Sequence, residues 1–194
     1  MSEPWYEVVE AGKKVTQGDL VFDCPLLTWD STKLPELTGS QDAEVLKHAS
    51  KGFKADVVVM TQACDLEHGK VKTVVLCPHI SLSSFRAAWA KTMTDQSQNP
   101  SDKAFKRACE DIADGYVWNQ AFLNSSDLGP LKVELRLVDF HDIFTVPLPF
   151  LQSLLEQRNT PRLRLRPPYR EHLSQAFARF FMRVGLPESL DKPW

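Results

Sequence analysis

The sequence predicts an α+β fold, and three observations carry that expectation. Residues 57–60 and 71–77 are apolar runs rich in β-branched side chains, and they bracket the turn signal "EHGK". Phe85, Ala88, Trp89 and Met93 recur at helical spacing in the middle of the chain. Near the C-terminus, Tyr169, Leu173, Ala176, Phe177, Phe180, Phe181 and Val184 form a broad apolar stripe on a third helical pattern, with Arg170, Ser174, Arg179 and Arg183 off it.

The remaining elements follow in order. "WYEVVEAGKKVTQGDLVFDCPLLTWD" reads as one or two strands punctuated at Gly18-Asp19. The polar stretch "STKLPELTGSQDAEVLKHASKGF" reads as a long loop with a short helix near residues 42–48. Residues 57–60 are apolar on both parities, as in a strand covered on both faces. "NPSDKAFKRACEDIADG" is a second central helix, with Ser101 or Asp102 able to cap its start and Gly115 placed to close it. Val133, Leu135 and Leu137 alternate with Lys132, Glu134 and Arg136, which predicts a strand wet on one face. "PFLQSLLEQ" is a short helix and "RLRLR" a short alternating strand. Pro168 suits the first turn of the C-terminal helix, and Gly185 with Pro187 would stop it. The expected organisation is a single domain over 1–194. Its strands lie in 18–80 and 131–166, a helical insertion fills 83–128, and the C-terminal helix spans 167–185.

The 194 residues are 43% hydrophobic and 25% charged, ordinary for a globular protein. No apolar run approaches the roughly 20 residues of a membrane span, so no membrane association is expected. The N-terminal stretch carries acidic residues and no apolar core of a signal peptide, which predicts a cytoplasmic protein. Cys24, Cys64, Cys77 and Cys109 are widely spaced and expected to be reduced. A net charge of −2 lends no support to non-specific nucleic-acid binding, which draws its affinity from phosphate contacts.

Chemistry concentrates in "VVVMTQACDLEHGKVKTVVLCPH", residues 57–79. Cys64, His68, Cys77 and His79 are the residue types of a tetrahedral zinc site, at the unusual spacing C-x3-H-x8-C-x-H. A tight hairpin turn at His68-Gly69 would put Cys77 opposite Met60 and Cys64 opposite Thr73. The two thiols would then stand four strand steps apart, roughly 13 Å, too far to share a metal. No metal and no cofactor is therefore expected, and the four-ligand site stands as the alternative. Cys64 with His68 as base and Asp65 beside it is a second chemical reading, against Asp65 as a simple turn former. Asp139, His141 and Asp142 in "DFHD" are either a small acid/base cluster or a tight connection. Alternation places Arg162, Arg164 and Arg166 on one strand face, the best candidate for an anion or nucleic-acid contact.

The order "GDLVF", a polar loop, then "ADVVVMTQACDLEHGKVKTVVLCPHIS", with "LVDFHDIFTV" later, resembles the PemK/MazF-like toxin family. The resemblance covers residues 18–81 and 131–185. It implies an SH3-like β-barrel, a prokaryotic toxin–antitoxin or anti-phage-defence setting, and endoribonuclease activity in the family. Where the family places its catalytic arginine this chain has Ala55, with Lys54 beside it; where a hydroxyl is expected it has Ile80, with Ser81 next. The expected function is therefore a binding or interaction module with a protein partner, which would use Cys64, Asp65, His68 and the three arginines. RNA or DNA is the alternative partner, and the oligomeric state, a dimer included, stays open. A PemK-like nuclease using Lys54, Thr61, Asp65 and Ser81 is the alternative function, and a zinc- or thiol-dependent site the second.

Overall fold

The computed structural model describes residues 4–30, 32, 47–129 and 131–182. In chain order the elements are β1 (Tyr6–Val9), β2 (Leu20–Trp29), β3 (Ser50–Val59), α1 (Ala63–Glu67), β4 (Thr73–Ser81), α2 (Leu82–Asp95), α3 (Asp102–Ala113), β5 (Gln120–Leu123), β6 (Ser126–Leu128), β7 (Leu131–Val133), β8 (Arg136–Asp139), β9 (Phe144–Pro147), α4 (Leu148–Arg158), β10 (Arg162–Leu165) and α5 (Tyr169–Phe181). The class is α+β, with several antiparallel sheets. The chain forms two compact units. The first, called the sheet unit below, comprises Val8–His79 and Ile143–Arg164; the second, the helical unit, comprises Met1–Glu7, Ile80–Asp142 and Leu165–Trp194.

The sheet unit is built on four antiparallel strands in the order β2-β3-β4-β9. Val57, Val58 and Val59 are all fully buried, as apolar residues on both parities demand. Val57, Val59, Val74 and Leu76 join Leu151 and Leu155 of α4 in the core. A β-bulge interrupts β2 between Val21 and Cys24. Asp23 there takes a positive φ of 48°, its N–H donates to Asp56 Oδ1 at 2.9 Å, and Arg158 donates to the carbonyls of Phe22 and Asp23 at 2.5 and 2.6 Å. A bulge bends its strand and adds twist; beyond it, β2 and β3 continue as a two-stranded ribbon from Cys24↔Ala55 to Trp29↔Ser50. β2 and β9 end the order unpaired with each other, so among the described residues the strands do not close into a barrel.

In the helical unit, Ser81 caps α2 by accepting from Ser84 N, and Ser101 caps α3 by accepting from Ala104 N. Gly115, at φ 77°, ends α3 as the sequence predicts. Phe85 and Phe105 pack with Ile112 and Leu137. Phe177 and Phe180 of α5 pack on the buried Phe140, with ring centroids 5.5 and 6.3 Å apart.

Four expectations are corrected. The segment between β3 and β4 is not a tight turn but the helix α1, because the wider loop lets residues 63–67 make a helical turn. Register follows: Cys77 lies opposite Val58, not Met60. The offset is two residues, so no side chain changes face. β3 begins at Ser50, inside the expected loop, because its polar first half is a ribbon paired with β2. Residues 83–128 are not wholly helical; β5 and β6 end them. Finally, 131–139 is not one wet strand. Leu131–Val133 pairs with β6 and Arg136–Asp139 with β5, and Arg136 is buried. The expected short helix at 42–48 lies mostly outside the described residues, as do Arg183, Val184 and the stop at Gly185 and Pro187. No helix among the described residues is long and apolar enough to cross a membrane.

Candidate functional site

The cysteine–histidine segment does not assemble a centre. Cys64 and His68 lie exposed on and just after α1, while Cys77 and His79 are buried in β4. Among the described residues no group of three His, Cys, Asp or Glu side chains is placed to hold a metal ion. His68 Nδ1 lies 2.7 Å from the Cys64 carbonyl oxygen. A carbonyl only accepts, so this nitrogen carries the proton and is held by the backbone rather than by the Cys64 thiol. The thiol instead sits 3.7 Å from Gln62 Oε1 and from Asp65 Oδ1. Asp65 also meets Lys70 Nζ at 3.6 Å, an exposed pair closing the turn.

The arginines of β10 face inward, which corrects the expected anion-binding face. Asp19 is fully buried, and Arg162 Nε donates to its Oδ2 at 2.8 Å while Arg164 Nε donates to its Oδ1 at 2.5 Å. Arg164 Nη2 also donates to Asp19 Oδ2, at 3.0 Å, and further guanidinium N–H groups reach main-chain carbonyls: Arg162 those of Glu10, Lys13 and Lys14, and Arg164 that of Lys14. These donors close the loop 10–19 onto β10 and leave little charge for an external anion. Only Arg166 is exposed. In the helical unit, Asp139 Oδ1 accepts from His141 N at 2.9 Å and lies 3.2 Å from His141 Nδ1, so "DFHD" is a turn organised by its own aspartate.

The four nuclease candidates sit in different settings. Thr61 Oγ1 accepts from Val75 N at 2.7 Å and so ties the end of β3 to β4. Ser81 is the N-cap of α2, with Ser83 Oγ and Ser84 Oγ 2.9 and 2.8 Å from its hydroxyl. Ser83 donates to Glu134, and that bond holds the exposed Glu134 carboxyl below its ordinary pKa. Asp65 belongs to the α1 tip. Lys54 lines an apolar concave surface.

That surface is an open groove of about 810 Å³ in the sheet unit, lined by residues 25–27 of β2, 52–54 of β3, 143–147 along β9, and Phe150 of α4. Its volume falls in the roughly 300–1,000 Å³ range of binding pockets. Phe53 and Phe144 meet across it with ring centroids 5.4 Å apart and pack on the core below. Leu27 is 74% exposed, and Ile143 and Phe150 are 38% and 40% exposed. Lys54, opposite Pro25 in register, is the single charged residue among those lining it. Sequence reasoning missed every lining residue but Lys54. The signals were there in "PLLTW" and "PLPF", prolines and large apolar residues that read equally well as core strand and helix start.

No family model and no curated protein matches this chain.

Proposed function

We propose that this protein is a binding module, and that the groove between the β2–β3 ribbon and β9 is where a protein partner docks. The single observation that carries the reading is the exposure of Leu27, Ile143 and Phe150 around one concavity, where water would otherwise cover apolar side chains of three elements. Nothing in the groove resembles a reaction centre, since its one charged group is Lys54 and its walls are aliphatic and aromatic. The resemblance of 18–81 and 131–185 to PemK/MazF-like sequences supports two finer parts of the proposal: descent of the sheet unit from an SH3-like barrel, and service in a multi-component prokaryotic toxin- or anti-phage-defence-like system.

The test is to pan a displayed library of random linear peptides against the full chain, then map the enriched peptides by NMR shift perturbation. Shifts centred on Gly52, Thr145 and Phe150, lost in Leu27→Arg, are expected. Shifts centred on Cys64 to His68 would move the binding surface to the α1 tip and overturn the assignment.

A further inference from the structure

The walls of the groove are strand edges as well as side chains. Among the described residues, β9 pairs with β4 alone. β3 pairs with β4 over Val57–Val59, so among the described residues its first seven residues, 50–56, have β2 on one edge and no strand on the other. Ile143 and all four residues of β9, 144–147, line the groove, as do three of β3, 52–54. Side chains alternate between faces along a strand, so odd and even residues lining together means that the backbone itself borders the space. Backbone N–H and C=O groups are obligatory hydrogen-bonding groups. An occupant that brings its own row of donors and acceptors satisfies them; a compact apolar ligand does not.

The second observation is charge. The exposed Lys54 lies opposite Pro25 in register, on the ribbon face away from Phe53 and Leu26, at the rim of the groove and with no ion pair among the described residues. Covering an ammonium group with an apolar occupant costs its hydration unless a counter-charge arrives with the occupant.

We propose that the groove recognises an extended segment of a partner protein by strand addition, and that this segment carries an aspartate or glutamate that pairs with Lys54. The inference rests on the groove being the docking surface. β9 has four residues, about 13 Å at ~3.3 Å each, so four to five residues of the partner, about that many, set the strand register. Its alternate apolar side chains fall on Phe53 and Phe144, and its acidic residue falls beside Lys54. Main-chain pairing supplies affinity and the carboxylate fixes direction and register.

The probe is the displayed random-peptide library, panned separately on the full chain and on Lys54→Glu. Enriched sequences are then synthesised with acetylated and amidated ends, so that no terminal carboxylate is present. The wild-type chain is expected to select one Asp or Glu amid alternating apolar residues, and Lys54→Glu to select Lys or Arg at that position. Replacing the acidic residue by its amide should weaken Kd about tenfold. N-methylation at alternate residues should weaken it by more than about tenfold on the bonding edge and little on the other.

The outcomes separate the two claims. Peptides that bind Leu27→Arg as tightly as the wild type overturn the groove itself, as does a library in which nothing enriches. Peptides that require Leu27 but tolerate the amide and every N-methyl group leave the groove standing and overturn strand addition with a carboxylate. A Lys54→Ala chain that dimerises in sedimentation while binding peptide unchanged would make Lys54 a guard against edge pairing, and would likewise overturn the inference.

Discussion

Two of the regions of the sheet unit that hold cationic side chains differ in what surrounds the charge. At β10, Arg162 and Arg164 share the buried carboxylate of Asp19 and donate further to carbonyls of the loop 10–19. At the rim of the groove, the exposed Lys54 has no such partner among the described residues. The first arrangement is closed: both guanidinium groups are held by internal acceptors, and its worth lies in folding. The second is open, and its charge is left for something else to meet. A cation in a sheet is thus informative only through its acceptors.

The largest expected effect breaks the closed region. Asp19→Ala leaves the 4%-exposed Arg162 without its carboxylate, and removing one member of a buried pair costs about 3–5 kcal/mol. Urea denaturation of the full chain should show the loss as a lower midpoint. A midpoint within error of wild type would mean that the cluster contributes nothing to stability.

A smaller effect should appear in alkali. Burial pushes the thiol of Cys24 above its ordinary value of 9.0 and the phenol of Tyr6 above 10.0. In both cases the folded state holds the proton more firmly than the unfolded chain. The contribution to stability is therefore fully present below pH 9.0 and declines as pH rises past 9.0 for Cys24 and 10.0 for Tyr6. Denaturation midpoints measured between about pH 8 and about pH 11 should fall, with a shallower fall in Cys24→Ala. An unchanged slope in that variant would remove Cys24 as a cause.

The smallest effect on stability belongs to the open region. Lys54→Ala should shift the unfolding free energy by no more than about 0.5 kcal/mol, as for an exposed side chain without a bonded partner. A loss comparable to that of Asp19→Ala would mean that Lys54 is structural after all, and would erase the contrast.

The elements were legible where a local rule sufficed. Ser101 and Gly115 bound α3, Pro168 precedes α5, and residues 57–59 form a strand buried on both faces. The α1 tip was not legible, because "ACDLEH" is equally good as a turn and as one turn of helix, and only the reach between β3 and β4 decides. Nor was the first half of β3, whose Lys51, Gly52 and Lys54 lack any apolar alternation; it is a strand because β2 pairs with it. For the site, Lys54 was named through a resemblance, whereas Leu27, Phe53, Phe144 and Phe150 were not named at all. They are distant in sequence and become one surface only through the pairing of β2 with β3 and of β9 with β4.

By itself, then, the sequence determined the α+β class, the helix ends and the strands with the strongest apolar patterns, because periodicity and capping act over a few residues. Tertiary structure alone decided that Arg162 and Arg164 are spent on Asp19 while Lys54 is not, and that apolar residues from β2, β3, β9 and α4 line one groove. Both outcomes depend on pairing between residues about 30 to 145 positions apart, and no local pattern encodes which distant carboxylate or strand edge a residue will meet.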